Sequence, residues 1–422
     1  MIMRLLAVAF IFICTSIAWG ILGGTIVSRT NSSDEHLRSR VQSAWGAPQI
    51  QSAPLAEYWV SVPTRSVIYD KNGKEKETVE NARRENHTFS PVSSDVAVDL
   101  NLEYRQKGLL WYSTYKVGFQ GDYGFKNPDS VARTVYVRWK LPAAQTIYDG
   151  LQFTIDGRNI EPVIEAEKAS VNMTLAPLEA VKLRVRYHSQ GLDSWSYSFG
   201  ENVSSARDFH LRMAADFKDI DFPDNTLSPT QKRRAGSGRQ LDWNYNNLLS
   251  SYRIAMAMPA KLQPGPLASE ISFFAPVSLF FFFFAIFILT VTRDIELHPM
   301  NYFFLAAAFF AFHLLLAYLV DHLDLYLSFA IASVVSVLLV VTYLRIVIGA
   351  RFALREAALA QSIYLVLFSF AFFFRGYTGL SITIGAILTL FLAMQMTGKL
   401  RWAEKFGAAR TGGVPPPLPA NK

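Results

Sequence analysis

The stretch Ile295-Glu296-Leu297-His298-Pro299-Met300-Asn301-Tyr302 decides the fold, together with the apolar run 303–320 and the closing Asp321-His322-Leu323-Asp324. Pro299 suits the first turn of a helix, where its missing N–H costs no hydrogen bond. From Met300 to Val320 such a helix rises about 31 Å, close to the thickness of a bilayer's hydrocarbon core. The sequence therefore predicts one membrane-spanning helix with two polar ends, the first collar at 295–302 and the second collar at 321–324.

Four further apolar segments, at about 271–291, 327–347, 357–374 and 380–396, accompany this helix in a predicted five-span bundle over residues 268–398. The last two are short for a full span, which leaves a re-entrant hairpin open as an alternative. Residues 1–27 begin with Arg4 close to the start and then run largely apolar. Because this run is longer than the apolar core of a signal peptide and no A-x-A site follows it, we predict an uncleaved anchor helix.

Residues 28–267 predict an all-β domain, because apolar residues alternate with polar ones along 96–104 and 181–187. Further strands are predicted at about 58–62, 111–119, 134–141, 195–199 and 252–258. Asn72-Gly73 and Asp156-Gly157 lie between β-prone runs and predict tight hairpin turns. Alternation favours antiparallel sheets with one wet face, so the predicted architecture is sandwich-like.

One segment of this domain, 222–241, is rich in Pro, Gly, Ser and charge, and it contains Lys232-Arg233-Arg234. Such composition is typical of a solvated loop, and we interpret the segment as one. A basic patch that binds anionic lipid or polymer is the alternative.

The distribution of charge predicts the orientation of the bundle. The net charge is +7, yet residues 28–267 are nearly balanced, with 30 Lys and Arg against 27 Asp and Glu. With both termini in the cytoplasm, ten of the other basic residues lie inside and only Arg375 lies outside. This asymmetry follows the positive-inside rule and is not a nucleic-acid footprint. The sequence thus predicts a bacterial inner membrane protein with residues 28–267 in the periplasm and a cytoplasmic tail at 399–422.

Few residues carry candidate chemistry. The single cysteine, Cys14, lies in the anchor, which excludes a disulfide framework or a cysteine-based metal site elsewhere. With no H-E-x-x-H, G-x-S-x-G or Gly-rich phosphate motif, we predict no catalytic, cofactor-binding or metal-binding residues. Deep in the bundle, His313 is expected to make one interhelical hydrogen bond, with a proton relay that includes Asp324 as the alternative. Asp321, His322 and Asp324 have the chemistry of a metal site, although exposed polar residues are ordinary at a helix end.

Three motifs point to one family: Trp45-Gly46-x-x-Gln49, then Glu103-x-Arg105-x-Lys107-Gly108, then His298-Pro299-x-Asn301-Tyr302 with Asp321-His322 behind it. They resemble the Ser-Trp-Gly-x-x-Gln, Glu-x-Arg-x-Arg-Gly and His-Pro-x-Gln-Tyr…Glu-His segments of the bacterial inner membrane protein CreD family. Ala44 and Lys107 stand where that family usually has serine and arginine. The order of anchor, large extracytoplasmic domain and five spans is similar too, so the chain is identified as a remote member.

The resemblance implies a role in cell envelope integrity or envelope stress, with no enzymatic activity or cofactor attached to it. The leading hypothesis is a non-enzymatic protein whose β domain binds a periplasmic protein or envelope polymer, while the bundle anchors it in the lipid bilayer or signals. A transporter or lipid-handling protein that uses the bundle is one alternative. An envelope-modifying enzyme with carboxylates converging in the β domain is another.

A reporter fused after Lys422 should be active only in the cytoplasm, because six spans return the C-terminus to the side of the N-terminus. The measurement is reporter activity in intact cells, compared between a reporter that works only in the cytoplasm and one that works only in the periplasm. Periplasmic activity would overturn the six-span topology.

Overall fold

The structure is a computed structural model that describes residues 2–69, 75–108, 110–144, 146–200, 204–374 and 376–398. The chain separates into two compact units. The helical unit comprises Met1–Asp34, Gly108–Leu110 and Leu262–Lys422, and the β unit comprises Glu35–Lys107 and Trp111–Lys261. The predicted fold class, a membrane helical bundle plus an all-β domain, is thereby confirmed.

The described residues form six helices that are long and apolar enough to cross a membrane. They are α1 Ile2–Trp45, α2 Pro264–Thr292, α3 Pro299–Leu319, α4 Leu325–Val347, α5 Ala350–Phe373 and α6 Thr378–Thr397. The last two contain 24 and 20 residues, more than their apolar segments alone suggested. By length, full spans therefore fit α5 and α6 better than a re-entrant hairpin does.

A buried polar chain joins three helices of the bundle. Gln361 on α5 donates to the Ser336 hydroxyl on α4 at 2.9 Å, and that hydroxyl donates to the Ala308 carbonyl on α3 at 2.8 Å. Gln361 lies between two π-helical segments of α5, Ala353–Ala357 and Ser362–Leu367. Because lipid offers no partner to a polar side chain, such hydrogen bonds hold spans together where apolar packing alone gives little preference.

The β unit contains sixteen strands among its described residues. They are β1 Gln49–Ser52, β2 Leu55–Tyr69, β3 Glu75–Phe89, β4 Ser93–Lys107, β5 Leu110–Lys126, β6 Arg133–Lys140, β7 Tyr148–Ile155, β8 Arg158–Ile160, β9 Val163–Glu165, β10 Lys168–Leu175, β11 Ala180–Leu192, β12 Ser194–Ser198, β13 Ser204–Ala215, β14 Gln231–Ala235, β15 Gly238–Ser250 and β16 Ile254–Ala257. They make an eight-stranded sheet (β14-β15-β13-β4-β5-β11-β7-β8), a five-stranded sheet (β3-β2-β6-β10-β9) and a three-stranded sheet (β1-β12-β16).

The core of the β unit lies between the inner faces of its sheets. On β11, Leu183, Val185 and Tyr187 are fully buried, and they alternate with exposed charged residues. The ring of Tyr187 packs on Phe119 of β5 at 5.0 Å and on Trp139 of the five-stranded sheet at 5.6 Å. Burying one such side chain contributes roughly 1.5–3 kcal/mol, so period-2 alternation fixes both the inner face and the register.

Most strand predictions are confirmed. Each predicted segment falls on a strand, from 58–62 on β2 to 252–258 on β16. Asp156 and Gly157 have positive φ angles of 46° and 81° and join β7 to β8, as expected of a tight hairpin. The predicted turn at Asn72-Gly73 lies outside the described residues.

The structure differs from the sequence analysis at three places. Residues 28–45, placed in the β domain, continue α1 to Trp45. The segment 231–241, interpreted as loop, forms β14 and the start of β15, because β14 is an edge strand exposed at every position and so shows no alternation. Two strand pairs, β1 with β12 and β13 with β4, are parallel in otherwise antiparallel sheets.

Candidate functional site

The first collar forms the start of α3. His298 is the N-cap residue, and its Nδ1 accepts a hydrogen bond from the Met300 amide at 3.2 Å. Pro299 occupies the first turn, as its missing N–H predicts. The Asn301 side chain accepts from the Tyr343 hydroxyl of α4 at 2.8 Å. These residues start the helix and tie it to its neighbour, which is a structural use of the motif.

Two further contacts connect the first collar to other helices. Tyr302 is buried, and its ring packs edge-on against Phe283 of α2 at 5.2 Å. Arg4 of α1 approaches Glu296 at 3.5 Å, with both side chains largely exposed. A pair of that kind contributes little stability in water.

The second collar makes the stronger contact with α1. Arg29 donates to both carboxylate oxygens of Asp321, at 2.9 and 2.6 Å, and its guanidinium also lies 5.7 Å from the centre of the Tyr318 ring. One guanidinium nitrogen, Nη2, makes both contacts, and its shorter distances make this the closer of the two ion pairs. His322 is exposed beside it.

α3 ends before Asp324, so His313 and Asp324, the residues of the predicted proton relay, do not lie on one helix. α3 ends at Leu319, and Asp324 belongs to the next helix, where its side chain caps α4 by accepting from the Tyr326 amide at 3.0 Å. The helical projection that placed Asp324 on the same face as His313 therefore does not apply. Asp321 and Asp324 are both occupied by structural partners, so the second collar is a helix boundary.

His313 is buried in an aromatic cage. Its Nδ1 lies 3.0 Å from the Phe309 carbonyl one turn earlier, and the rings of Trp19 and Phe312 are 5.5 and 5.0 Å from its own. The predicted interhelical hydrogen bond is replaced by this bond within α3. Its Nε2 has no partner among the described residues. A packed imidazole of this kind holds α1 against α3, and among the described residues His313 lines neither the cavity between α1 and α2 nor the one between α5 and α6.

α3 and its two collars have three partners on α1 that local sequence patterns do not predict: Trp19, Arg4 and Arg29. Trp19 is fully buried, although most of the apolar part of α1 is exposed. Arg4 and Arg29 lie 292 residues from the carboxylates they approach, so local spacing gives no sign of either pair. The usable signal is that a basic residue flanks each end of the first apolar run and an acidic residue flanks each end of the α3 run.

In the β unit, the structure brings five of the motif residues into one group, the motif cluster: Trp45, Gly46, Gln49, Glu103 and Arg105. The Arg105 guanidinium stacks over the Trp45 ring at 3.5 Å. The Glu103 carboxylate lies 3.5 Å from Arg105 and 2.6 Å from Lys116 of β5. Cation–π and ion-pair contacts thus fix the end of α1 on the β4–β5 pair.

Gly46 and Gln49 fix the chain as it leaves α1. Gly46 has a φ of +113°, and a Cβ there would lie 2.4 Å from the Gln190 carbonyl oxygen, so only glycine fits. Gln49 is fully buried and donates to the Ser189 hydroxyl at 2.8 Å and to Gln190 O at 3.0 Å. Gly108, also at positive φ (58°), marks the turn between β4 and β5.

The contacts of the motif cluster fix the end of α1 on the β strands, which is a structural role. The last turns of α1 are held a second time, by an ion pair between Arg38 and Asp193. The pKa of the Glu103 carboxyl is lowered chiefly by its hydrogen bond to the Lys116 ammonium, with a further contribution from Arg105. A carboxylate held ionised by two cations is a poor proton donor and a good anchor.

The outer face of the eight-stranded sheet is polar. Its alternate positions expose charged side chains along β4, β11 and β13, while on β5 Gln120 is half-buried and Asp122 is buried. Contacts cross the strands there: Arg184 with Asp122 at 2.6 Å, Arg186 with Gln120 at 2.6 Å, and His210 with Asp95 at 3.0 Å. On the predicted solvent-facing side of the sheet, polar side chains thus pair across neighbouring strands.

Near the middle of this outer face, two positions of β5 are glycines and lack side chains. Gly118 of β5 has His188 of β11 on one side, 3.6 Å from an added Cβ, and Asp99 of β4 on the other, at 3.8 Å. Gly124 lies further along the same strand on the same face. Gly118 therefore leaves a strip one residue long without a side chain, with the exposed His188 imidazole beside it, whereas Gln120 and Asp122 occupy the face between Gly118 and Gly124.

Metal chemistry finds little support in this arrangement. Within the described ranges, no three His, Cys, Asp or Glu side chains come together in a geometry that holds a metal ion. On the outer face, Asp122, Asp95 and Glu103 each have a basic partner.

Comparison with known proteins gives one strong match. The model of a family described as "Inner membrane protein CreD" matches residues 1–403. No curated protein matches the chain. Among solved structures, a candidate nutrient binding protein from Legionella pneumophila is 11% identical, covering 46% of this chain and 73% of that chain with a TM-score of 0.28. An M1 zinc metallopeptidase from Deinococcus radiodurans is 14% identical, covering 40% of this chain and 42% of that chain with a TM-score of 0.24. Neither structural likeness is close enough to carry an argument.

Replacing His313 by leucine should leave insertion and folding intact, because an apolar side chain of similar size removes a buried polar atom that lacks a partner. Trp19→Ala should instead lower the free energy of unfolding by about 3–5 kcal/mol, because it opens a cavity in the same cage. Thermal unfolding in detergent measures both. Loss of a proton or solute flux in His313→Leu, with the protein still folded, would contradict the packing role.

Glu103→Gln should lower the free energy of unfolding at neutral pH by up to about 1 kcal/mol, because the exposed ion pair with Lys116 is lost. The folded-state pKa is depressed, so this contribution is present above the ordinary glutamate pKa of about 4.3 and disappears as the pH falls through the lower folded value. Chemical unfolding from pH 7 downward measures the difference. Glu165→Gln, on the exposed edge strand β9, is the matched control and should change nothing. A deficit that is independent of pH would exclude the ion pair as its cause.

Proposed function

Because the chain belongs to the CreD family of inner membrane proteins, we propose that it is a non-enzymatic protein of cell envelope integrity. In this proposal the β unit lies outside the cytoplasm and binds an envelope component, and the helical bundle anchors it or passes on a signal. Both termini lie in the cytoplasm. The family match supports a location in the membrane. The role in cell envelope integrity is the further step that we propose.

The charges at the membrane boundaries support this orientation. In a six-span arrangement, the end of α2, the end of α4 and the start of α5 lie on the same side of the membrane as Arg4. Four basic residues lie at these helix ends: Arg293, Arg345, Arg351 and Arg355. The second collar and the β unit then share the opposite side. In this proposal, which follows the positive-inside rule, residues 28–267 lie in the periplasm.

The outer face of the eight-stranded sheet is the observation that carries the binding role. It is polar, its charged side chains are exposed along β4 and β11, and at Gly118 it has one position without a side chain between Asp99 and His188. Its cross-strand pairs hold the charged groups in place, so a partner would meet a preformed surface. Preformed polar surfaces bind extended polar chains at a low cost in side-chain ordering.

The pairing of carboxylates supports a non-enzymatic role over an envelope-modifying enzyme. Asp122 is held by Arg184 and Lys182, whose charges lower its pKa against the opposing effect of burial. A general acid needs a raised pKa, and an enzyme that cleaves sugar polymers needs two carboxylates flanking the bond. Asp122 does not suit the acid role.

The transporter alternative receives less support from the bundle. A proton path needs ionisable groups that line a hydrated route across the membrane. His313 is instead enclosed by aromatic rings and bonded to its own helix.

A photo-crosslinking amino acid at Ala97 tests the binding role in living cells. Ala97 is exposed on the outer face of β4 and precedes the glycine-flanking Asp99 by two residues. We expect it to capture an envelope component, seen as an adduct on gels, because it lies within reach of the strip at Gly118. Digestion of the adduct by a protease or by a muramidase then tells a protein partner from a cell-wall polymer.

Val163 supplies the matched control, since it is equally exposed but lies on the edge strand β9 of the five-stranded sheet. The same amino acid there should give no adduct of that size. Equal adducts from both positions, or none from Ala97, would count against the outer face as a binding surface.

A further inference from the structure

A cavity of about 1020 Å³ opens between α1, α2 and the segment that joins α2 to α3. It is at the upper end of the range for small-molecule sites. Its walls are membrane-spanning helices, and its mouth is the first collar. Hydrocarbon chains of the bilayer are therefore what surrounds its open side.

Apolar side chains make the walls of this cavity. α2 contributes four phenylalanines and α1 a row of aliphatic residues with one more phenylalanine: Phe280, Phe283, Phe284 and Phe287, facing Leu5, Val8, Ala9 and Phe12. Rings and methyl groups of this kind match an acyl chain in polarity.

The mouth of the cavity is charged and of mixed sign. Arg4 lies there with Asp294 and Glu296, one cation against two carboxylates. The Arg4–Glu296 distance of 3.5 Å is long for an ion pair, and 54% and 82% of the two side chains are exposed. Both groups can therefore turn toward a ligand at little cost.

We propose that this cavity is a phospholipid site that selects a headgroup with both a phosphate and a primary ammonium group. The acyl chain lies between the phenylalanines of α2 and the aliphatic row of α1. The phosphate lies at Arg4, and the ammonium group lies at Glu296. This site is independent of the outer face of the β unit.

Charge complementarity decides between headgroups. A headgroup with a phosphate but no amine could pair with Arg4, but it would leave the Glu296 carboxylate beside a second negative group. A phosphoethanolamine headgroup carries both signs and can satisfy both Arg4 and Glu296. One exposed charge contact of this kind is worth up to about a fivefold preference.

A second cavity of the bundle has apolar walls but lacks charged groups that could select a headgroup. It has a volume of about 370 Å³ and lies between α5 and α6. No acidic or basic side chain is among its lining residues. It offers an acyl chain the same kind of wall but gives a headgroup nothing to recognise.

The test is native mass spectrometry of the full chain, taken into mild detergent from vesicles of equal parts phosphatidylethanolamine and phosphatidylglycerol. The wild-type protein should retain phosphatidylethanolamine in roughly fivefold excess. Glu296→Lys should reverse that preference, because Arg4 and the introduced lysine would both attract the anionic headgroup and no Glu296 carboxylate would remain for the ammonium group. Since this side chain is 82% exposed, the variant should fold normally.

Filling the cavity gives an independent readout. Ala9→Phe places a ring among the lining residues and should reduce the bound lipid by one molecule per protein. Leu6→Phe adds a ring on the same helix at an exposed position outside the lining and should leave retention unchanged.

Reversal by Glu296→Lys together with loss in Ala9→Phe alone would support the site. Bound lipid that follows the vesicle composition in every variant, or that is equal in Ala9→Phe and Leu6→Phe, would overturn it and leave only non-selective lipid around the bundle.

Discussion

A bilayer offers no hydrogen-bond partner in its core, and this constraint accounts for where α3 keeps its polar groups. His298 caps the first turn, and Asp321 binds Arg29 at the other end. Between them, His313 uses the carbonyl of its own helix and is enclosed by aromatic rings. Residues that stand out in an apolar sequence thus mark the two membrane boundaries and one packed contact. The remaining polar chain, Gln361 to Ser336 to Ala308 O, joins helices in the interior of the bundle, where no water competes.

The β unit solves a different problem, because one end of it must be fixed to a helix that leaves the membrane. The motif cluster does this with a cation over an aromatic ring, a glycine that nothing else can replace, and a buried amide. None of these groups is free to react. The two motifs of the β unit are therefore better understood as the means by which the end of α1 is fixed on the β strands, whereas the third motif bounds α3. In the proposed function, the outer face of the large sheet binds a partner, so binding and anchoring would use separate parts of the chain.

Local pattern predicts this structure well wherever one face of an element is buried. Alternation located the long strands, Asp156-Gly157 marked its hairpin, and apolar runs marked the spans. Local pattern did not predict β14, because that strand is exposed at every position. It also did not predict that residues 28–45 continue α1, because their polarity is mixed. Partners distant in sequence were not predictable from spacing: Arg29 with Asp321, and Trp19 with His313, meet only because two spans pack together. The charged residues at the mouth of the large cavity, Arg4 and Glu296, are likewise distant in sequence, so spacing does not predict that they meet.

In the proposed orientation, α3 crosses the membrane from an inner first collar to an outer second collar, and residues 28–267 lie outside the cytoplasm. The chain's single cysteine makes a direct measurement available, since Cys14→Ser removes the only native thiol. In that background, Glu296→Cys and His322→Cys each place one thiol at an exposed position on opposite ends of the helix. A membrane-impermeant maleimide added to spheroplasts should label His322→Cys at once and Glu296→Cys only after the membrane is opened. Labelling in the reverse order would contradict the account.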